Sequence, residues 1–114
     1  MVLTMRMMME CEQAGEAEKI AHEALQGAAD KMERYTLSDT KPYWKIDGWY
    51  VTVIRATCKA ERSPDGAREV AERITDKVAW DADGFDGTAD ARPEVMGSTF
   101  AHPAVRFCWF YFAQ

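Results

Sequence analysis

The amino-acid sequence predicts an α+β protein with a ferredoxin-like βαββαβ topology, in which an antiparallel sheet carries two helices on one face. Segments with the two-residue alternation of strands and segments with the spacing of helices follow one another as strand, helix, strand, strand, helix, strand. The 114 residues suit one domain with a single core. We therefore expect residues 1–114 to fold as one unit.

The first strand and the first helix are predicted from their apolar patterns. Residues 4–11 read TMRMMMEC and place Met5, Met7, Met9 and Cys11 on one side of a strand. The segment that follows repeats apolar residues at three- and four-residue steps, which is typical of one buried stripe on a long helix. The stripe consists of Ala17, Ile20, Ala21, Ala24, Leu25, Ala28 and Met32.

The middle of the chain predicts a hairpin and a second helix. A strand is expected to begin at Tyr43, and the Asp47-Gly48 pair favours a tight turn before a strand over residues 49–60. Ser63 is a suitable N-cap and Pro64 suits the first helical position, so the second helix is expected to begin there. Its buried stripe is expected to contain Ala67, Val70, Ala71, Ile74 and Val78.

The last third of the chain predicts an irregular segment and one further strand. Residues 81–103 are expected to form a long loop, or a loop with an extra short strand around residues 95–100. The final segment, AVRFCWFYFA, alternates two sets of side chains, and neither set is polar. The sets are Val105, Phe107, Trp109 and Tyr111 against Arg106, Cys108, Phe110 and Phe112.

The sheet face opposite the helices is expected to be unusually apolar. From the first and third strands it would show Met8, Trp49, Val51 and Val53, and from the last strand either the set with Trp109 or the set with Phe110. Charged residues are expected only near its edges: Arg6, Glu10, Arg55 and Lys59. An apolar surface of this kind needs a cover. The cover is a different protein, a second copy of the chain, or the segment 81–103.

The segment WDADGFDGTAD gathers acidic residues, but its spacing does not fit an EF-hand. Counted from Asp81, the sixth and twelfth positions are Asp86 and Arg92 rather than glycine and glutamate. A solvated acidic loop is the simpler interpretation. If the loop binds anything, a basic protein is favoured, with Trp80 and Phe85 as apolar anchors. The acidic candidates are Asp81, Asp83, Asp86 and Asp90.

Composition excludes some classes of function and favours others. A net charge of −5 weighs against nucleic acid as a partner, and the longest apolar run is too short for a membrane helix. Cys11, Cys58 and Cys108 are odd in number and far apart, which favours reduced thiols and a cytoplasmic location. No metal or cofactor is predicted, and His22 and His102 are interpreted as structural or surface residues.

Two functions are consistent with these observations. The first is a small acidic protein-binding module without catalytic activity, which inhibits a larger partner as immunity proteins or phage anti-defence proteins do. The alternative is a small dimeric α+β barrel enzyme of the monooxygenase or cyclase type, acting on an apolar substrate. In the alternative, the residues to test are Arg6, Glu10, Arg55 and His102.

Overall fold

Six antiparallel strands and two α-helices make up the fold in the computed structural model, which describes all 114 residues. The strands are β1 (Val2–Glu10), β2 (Met32–Pro42), β3 (Trp49–Cys58), β4 (Ala79–Trp80), β5 (Asp86–Asp90) and β6 (Val105–Ala113). The helices are α1 (Ala14–Leu25) and α2 (Pro64–Glu72), and a 3-10 helix (Gln26–Lys31) continues α1. The strands lie side by side in the order β2-β3-β1-β6-β5-β4.

The α+β class is therefore confirmed, but the four-stranded ferredoxin-like sheet is not what the chain forms. Segment 81–103 adds β5 beside β6, and β4 pairs with β5 in turn. The expected strand at residues 95–100 is wrong, because only Phe100 bridges there, to Thr75. Residues 86–90, DGTAD, have low strand propensity, and pairing with the backbone of β6 is what makes them a strand.

The predicted boundaries between α1 and β3 are wrong in two places. The helix ends at Leu25, so Ala28 lies in the 3-10 helix and Met32 is the first residue of β2. The strand that was expected to begin at Tyr43 ends at Pro42 instead. β2 is an edge strand with two irregularities in its pairing to β3, which is why its sequence is polar and lacks a clean alternation. A loop over residues 43–48 then connects it to β3, so the expected hairpin is present.

The start of α2 is confirmed. The Ser63 side chain accepts a hydrogen bond of 2.9 Å from the backbone N–H of Gly66, and Pro64 is the first helical residue. The buried side of α2 carries Ala67, Val70 and Ala71. The helix ends at Glu72, so Ile74 and Val78 of the predicted stripe lie beyond it.

The core lies between the helices and one face of the sheet. Met5 is opposite Ile54 on β3 and opposite Phe110 on β6, so these three side chains point to the same face. Both helices and this sheet face contribute to a single cluster of 25 buried residues. Its largest fully buried side chains include Phe110, Phe112, Leu3, Met5, Met7, Met9, Leu25 and Ile54. The Phe110 set of β6 is therefore the core set, and the Trp109 set faces away from the helices.

We expect Phe110 and its neighbour Tyr111 to contribute very differently to stability. Phe110→Ala should lower the free energy of unfolding by about 3–5 kcal/mol, because it leaves a cavity in the core. Tyr111→Ala should cost about 1 kcal/mol or less, because the Tyr111 side chain is 38% exposed and stacks only on Trp109. Urea denaturation of the two variants measures both values. Equal losses would contradict the assignment of the two faces.

Candidate functional site: the open sheet face

The sheet face opposite the helices, called the open face below, contains an apolar zone and a basic zone. The registers of β1, β3 and β6 place Met8 beside Val51 and Phe107, and they place Arg6 beside Val53 and Trp109. The Met8 end is apolar and partly covered by loops. The Arg6 end is more open and carries several cationic side chains.

A pocket occupies the apolar zone, and we call it the Trp49 pocket. Its volume is about 340 Å³, and it lies between the sheet and the loop 43–48. Five apolar side chains and three charged ones line it: Met8, Tyr43, Ile46, Trp49, Phe107, Lys45, Asp90 and Arg92. The Tyr43 and Trp49 rings stack with their centroids 6.5 Å apart and an interplanar angle of 28°. The loop 43–48 therefore helps to build the pocket.

An ion pair between Asp90 and Arg92 forms the polar wall of this pocket. The Arg92 guanidinium donates from Nε to Asp90 Oδ1 at 3.0 Å and from Nη2 to Oδ2 at 2.6 Å. The backbone N–H of Arg92 also donates to Oδ1, at 2.9 Å. These bonds lower the pKa of the Asp90 carboxyl below its ordinary value, although burial acts in the opposite direction. Asp90 is thus an ionised carboxylate with both oxygens engaged.

The basic zone contains three arginines that we call the arginine row. Arg34 on β2, Arg55 on β3 and Arg6 on β1 occupy successive diagonal positions on adjacent strands, as the registers of these strands show. All three are exposed. None of them takes part in an ion pair or in a side-chain hydrogen bond, whereas four other cationic side chains, those of Lys31, Arg73, Arg92 and Arg106, do form ion pairs. The row is therefore a concentration of uncompensated positive charge.

An aromatic pair lies next to the arginine row. Trp109, which is directly opposite Arg6, stacks on Tyr111 with nearly parallel rings whose centroids are 6.1 Å apart. The indole N–H of Trp109 donates to Asp86 Oδ1 at 2.9 Å, which fixes the orientation of the indole. The Trp109–Tyr111 pair is therefore an apolar patch of fixed orientation beside charged side chains.

The structure brings the predicted sheet-face residues together, but it makes the face mixed rather than continuously apolar. Met8, Trp49, Val51, Val53 and Trp109 all lie on the open face. Met8 and Val51 are already buried in the single chain, at 9% and 2% exposure. The Arg6 side chain lies in the interior of the face and not at its edge. Part of segment 81–103 extends the sheet sideways as β5, with β4 beyond it, and Asp90 and Arg92 of the same segment line one side of the Trp49 pocket on this face.

The acidic segment does not form one surface. Trp80 points to the helix side of the sheet and packs against Phe112, with ring centroids 6.2 Å apart. The Arg62 guanidinium lies 3.6 Å from the centroid of the Phe85 ring. Of the four aspartates, Asp81 and Asp83 are exposed in the β4–β5 turn, whereas Asp86 and Asp90 lie on the open face.

The residues considered for an enzyme are not gathered at one place. His102 Nε2 is 3.1 Å from a carboxylate oxygen of Glu23 on α1, so it lies on the helix side, away from Arg6 and Arg55. Glu10 is on the open face, with its carboxylate 3.5 Å from Arg106 Nε. Burial raises the pKa of the Cys11, Cys58 and Cys108 thiols, so all three are protonated at neutral pH.

Sequence reasoning missed Arg34, Lys45 and Arg92 as residues of this site. Arg34 lies at the start of β2, directly after the segment whose spacing predicts a longer helix. The alternation of Arg34, Thr36 and Ser38, which share the open face, was the available signal. Arg92 carried no signal, since its role depends on a loop that turns back beside β6.

Comparison with models of known protein families, with curated protein sequences and with solved structures found no match. Neither helix has the length and apolar character that crossing a bilayer requires. The geometry of the open face is therefore the basis for assigning a function.

We expect Asp90→Asn to remove a pH-dependent part of the stability. The folded-state pKa of Asp90 is below its ordinary value of 3.8, so the ion pair stabilises the fold above that pH. At neutral pH the variant should have a Tm several degrees below that of the wild type. The difference should shrink as the pH falls below 3.8, because the carboxyl is then protonated in the unfolded wild type first and, at still lower pH, in the folded protein as well. Circular dichroism melts across this range measure it.

A suitable control is Asp81→Asn, because the exposed Asp81 side chain forms no hydrogen bond or ion pair. Its Tm should follow that of the wild type at every pH. A Tm difference for Asp90→Asn that is the same at neutral and acidic pH would contradict the role of the ion pair.

Proposed function

We propose that the protein is a non-enzymatic binding module whose open face docks an acidic surface of another protein. The observation that carries the proposal is the arginine row: three exposed arginines without partners, in a chain whose net charge is −5. Charges of one sign on a shared surface favour a ligand of the opposite sign. Inhibition of the partner is the consequence when the docked surface includes the partner's own functional site.

The charges are unevenly distributed between the open face and the rest of the molecule. The strand residues on the open face include four basic side chains (Arg6, Arg34, Lys41, Arg55) and three acidic ones (Glu10, Asp86, Asp90). Two of the acidic side chains are paired, with Arg106 and Arg92. The open face is thus basic although the whole chain is acidic, and the acidic excess lies elsewhere.

An acidic protein is favoured over a second copy of the chain as the occupant. In a two-fold dimer formed through the open face, each arginine row would approach the same basic face of its partner. Such an interface would place uncompensated charges of the same sign in a poorly hydrated space, which costs free energy. An acidic partner removes this cost and also relieves the repulsion within the row.

The aromatic pair supplies the apolar part of the proposed interface. Trp109 and Tyr111 lie beside Arg6 and are held in place by stacking and by the hydrogen bond to Asp86. Aromatic side chains next to arginines are typical of the residues that dominate binding energy at protein interfaces. The partner surface is therefore expected to combine carboxylates with at least one apolar side chain. The three buried, unpaired cysteines support the cytoplasm as the location.

A selection experiment tests the chemistry of the partner surface before the partner itself is identified. A phage-displayed library of random dodecapeptides is selected on the wild type and counter-selected on the variant Arg6→Glu/Arg55→Glu. Enriched peptides should be rich in Asp and Glu and should carry an aromatic or large aliphatic residue. A synthetic peptide from the selection should bind the double variant about tenfold or more weakly, mainly through slower association and lost salt dependence.

The matched control reverses two charges on the helix side, where Lys19 and Arg68 are exposed and form no ion pair. Lys19→Glu/Arg68→Glu should bind the same peptide with nearly unchanged affinity.

Three results would overturn the proposal. They are equal losses in both double variants, salt-sensitive binding of an oligothymidylate that needs Arg6 and Arg55, and a homodimer in sedimentation that the open-face variant dissociates.

A further inference from the structure

We propose that the Trp49 pocket is a separate binding site for a small, flat, apolar molecule that carries a carboxylate. This inference concerns a different part of the open face from the arginine row. It does not depend on the protein-docking proposal, because neither Arg6 nor Arg55 lines the pocket.

The shape and the walls of the pocket favour a flat apolar ligand. A volume of about 340 Å³ is within the range of small-molecule sites and suits a two-ring compound. Met8 and Phe107 form the floor, since they are neighbours on adjacent sheet strands. Trp49 and Tyr43 present stacked aromatic rings at the side. Aromatic walls of this kind favour a planar ring over a branched aliphatic group, because offset stacking adds to the burial of area.

The charged groups at the pocket select an anion. Asp90 uses both carboxylate oxygens on Arg92, so it offers little capacity to accept hydrogen bonds from a ligand. The Nη1 amino group of Arg92 has no hydrogen-bond acceptor, and neither has the Lys45 ammonium, whose one cation–π contact is with the Trp44 ring, 5.0 Å from the centroid. The charged donors outnumber the acceptors, and the three charges add up to +1. A carboxylate complements both the charge and the free donors.

The position of Arg92 is fixed before any ligand binds. Ser98 donates its backbone N–H to the Asp90 carbonyl at 2.8 Å and its hydroxyl to the Lys77 carbonyl at 2.8 Å. The backbone N–H groups of Val95, Met96 and Gly97 all bond to the Arg92 carbonyl at 3.0 Å. The Asp90 carboxylate thus fixes the Arg92 guanidinium, and the hydrogen bonds of the loop fix the Arg92 backbone. A preorganised cation loses little conformational entropy on binding, which favours a specific site.

Two naphthalene compounds of almost identical shape test the inference. 2-Naphthylacetate carries the proposed carboxylate, and 2-naphthylacetamide replaces it with a neutral amide. We expect the acid to bind with a Kd on the order of 100 μM, which is reasonable for about 14 heavy atoms, and the amide to bind about tenfold more weakly. Calorimetry gives the affinities. The methyl resonance of Met8, followed by NMR with labelled methionine, reports the location.

Substitutions in the loop 43–48 separate the contributions of charge and shape. Lys45→Gln should reduce the preference for the acid over the amide severalfold while leaving amide binding unchanged. Ile46→Asp should weaken the acid about tenfold, because it places a carboxylate on the pocket wall. Lys19→Gln is the matched control for Lys45→Gln, since the exposed Lys19 side chain on α1 carries the same charge and does not line the pocket, and this variant should bind both compounds like the wild type.

The outcomes also distinguish this inference from the proposed docking function. Arg6→Glu/Arg55→Glu should lose peptide binding yet keep the affinity for 2-naphthylacetate within about twofold. Equal affinity for acid and amide, insensitivity to both Lys45→Gln and Ile46→Asp, or the absence of a saturable shift at Met8 would each overturn the pocket assignment. A parallel loss of peptide and naphthylacetate binding in the Arg6→Glu/Arg55→Glu variant would also overturn it.

Discussion

The pairing of β1 with β6 is the constraint on which both the core and the open face depend. It aligns Met5 with Phe110 and Leu3 with Phe112 on the helix side, while Arg6 meets Trp109 on the other side. Both sides of β6 are rich in aromatic residues, so burial alone does not decide which set belongs to the core. A shift of one residue in the register of β6 would turn the Trp109 set toward the core and the Phe110 set toward the open face. Arg6 would then no longer lie opposite Trp109. The position of the aromatic pair beside Arg6 is therefore a consequence of this register, whereas the arginine row follows from the pairing of β3 with β1 and with β2.

The same strand pair divides the open face into its two zones. The pairing of β1 with β6 is irregular between Met8 and Met9, and the Arg106 side chain approaches Glu10 at this end of the sheet. Most charges around the Trp49 pocket are thus arranged as ion pairs, and the apolar walls remain accessible between them. No comparable acidic residue faces Arg34, Arg55 or Arg6. At the Trp49 pocket Asp90 compensates Arg92 and one cation, Lys45, is left without an acidic partner, whereas all three arginines of the row are uncompensated. The difference is why we assign different ligands to the two zones.

The net charge of the chain does not describe the charge of the open face. The sum of −5 is an average over a molecule whose open face is basic. Acidic side chains on α1, on α2 and in the β4–β5 turn produce most of the excess, and they lie on other surfaces. The acidic segment that suggested a basic partner is itself divided, since Asp86 and Asp90 are engaged by Trp109 and Arg92. Functional interpretation therefore depends on the spatial distribution of charge.

The sequence by itself determined the elements whose signals are local. The alternation of β1 and β3, the apolar stripe of α1 and the Ser63-Pro64 start of α2 depend on side-chain spacing and capping, which act within a few residues. Only the tertiary structure decided the remaining features. β5 is a strand because its backbone pairs with β6. Trp109 faces away from the helices because Met5 and Leu3 pair with Phe110 and Phe112, which places those two rings in the core. Arg92 reaches the pocket because Ser98 and Asp90 fold its loop back beside the sheet. These features depend on contacts between residues that are distant in the chain, and short-range periodicity carries no information about such contacts.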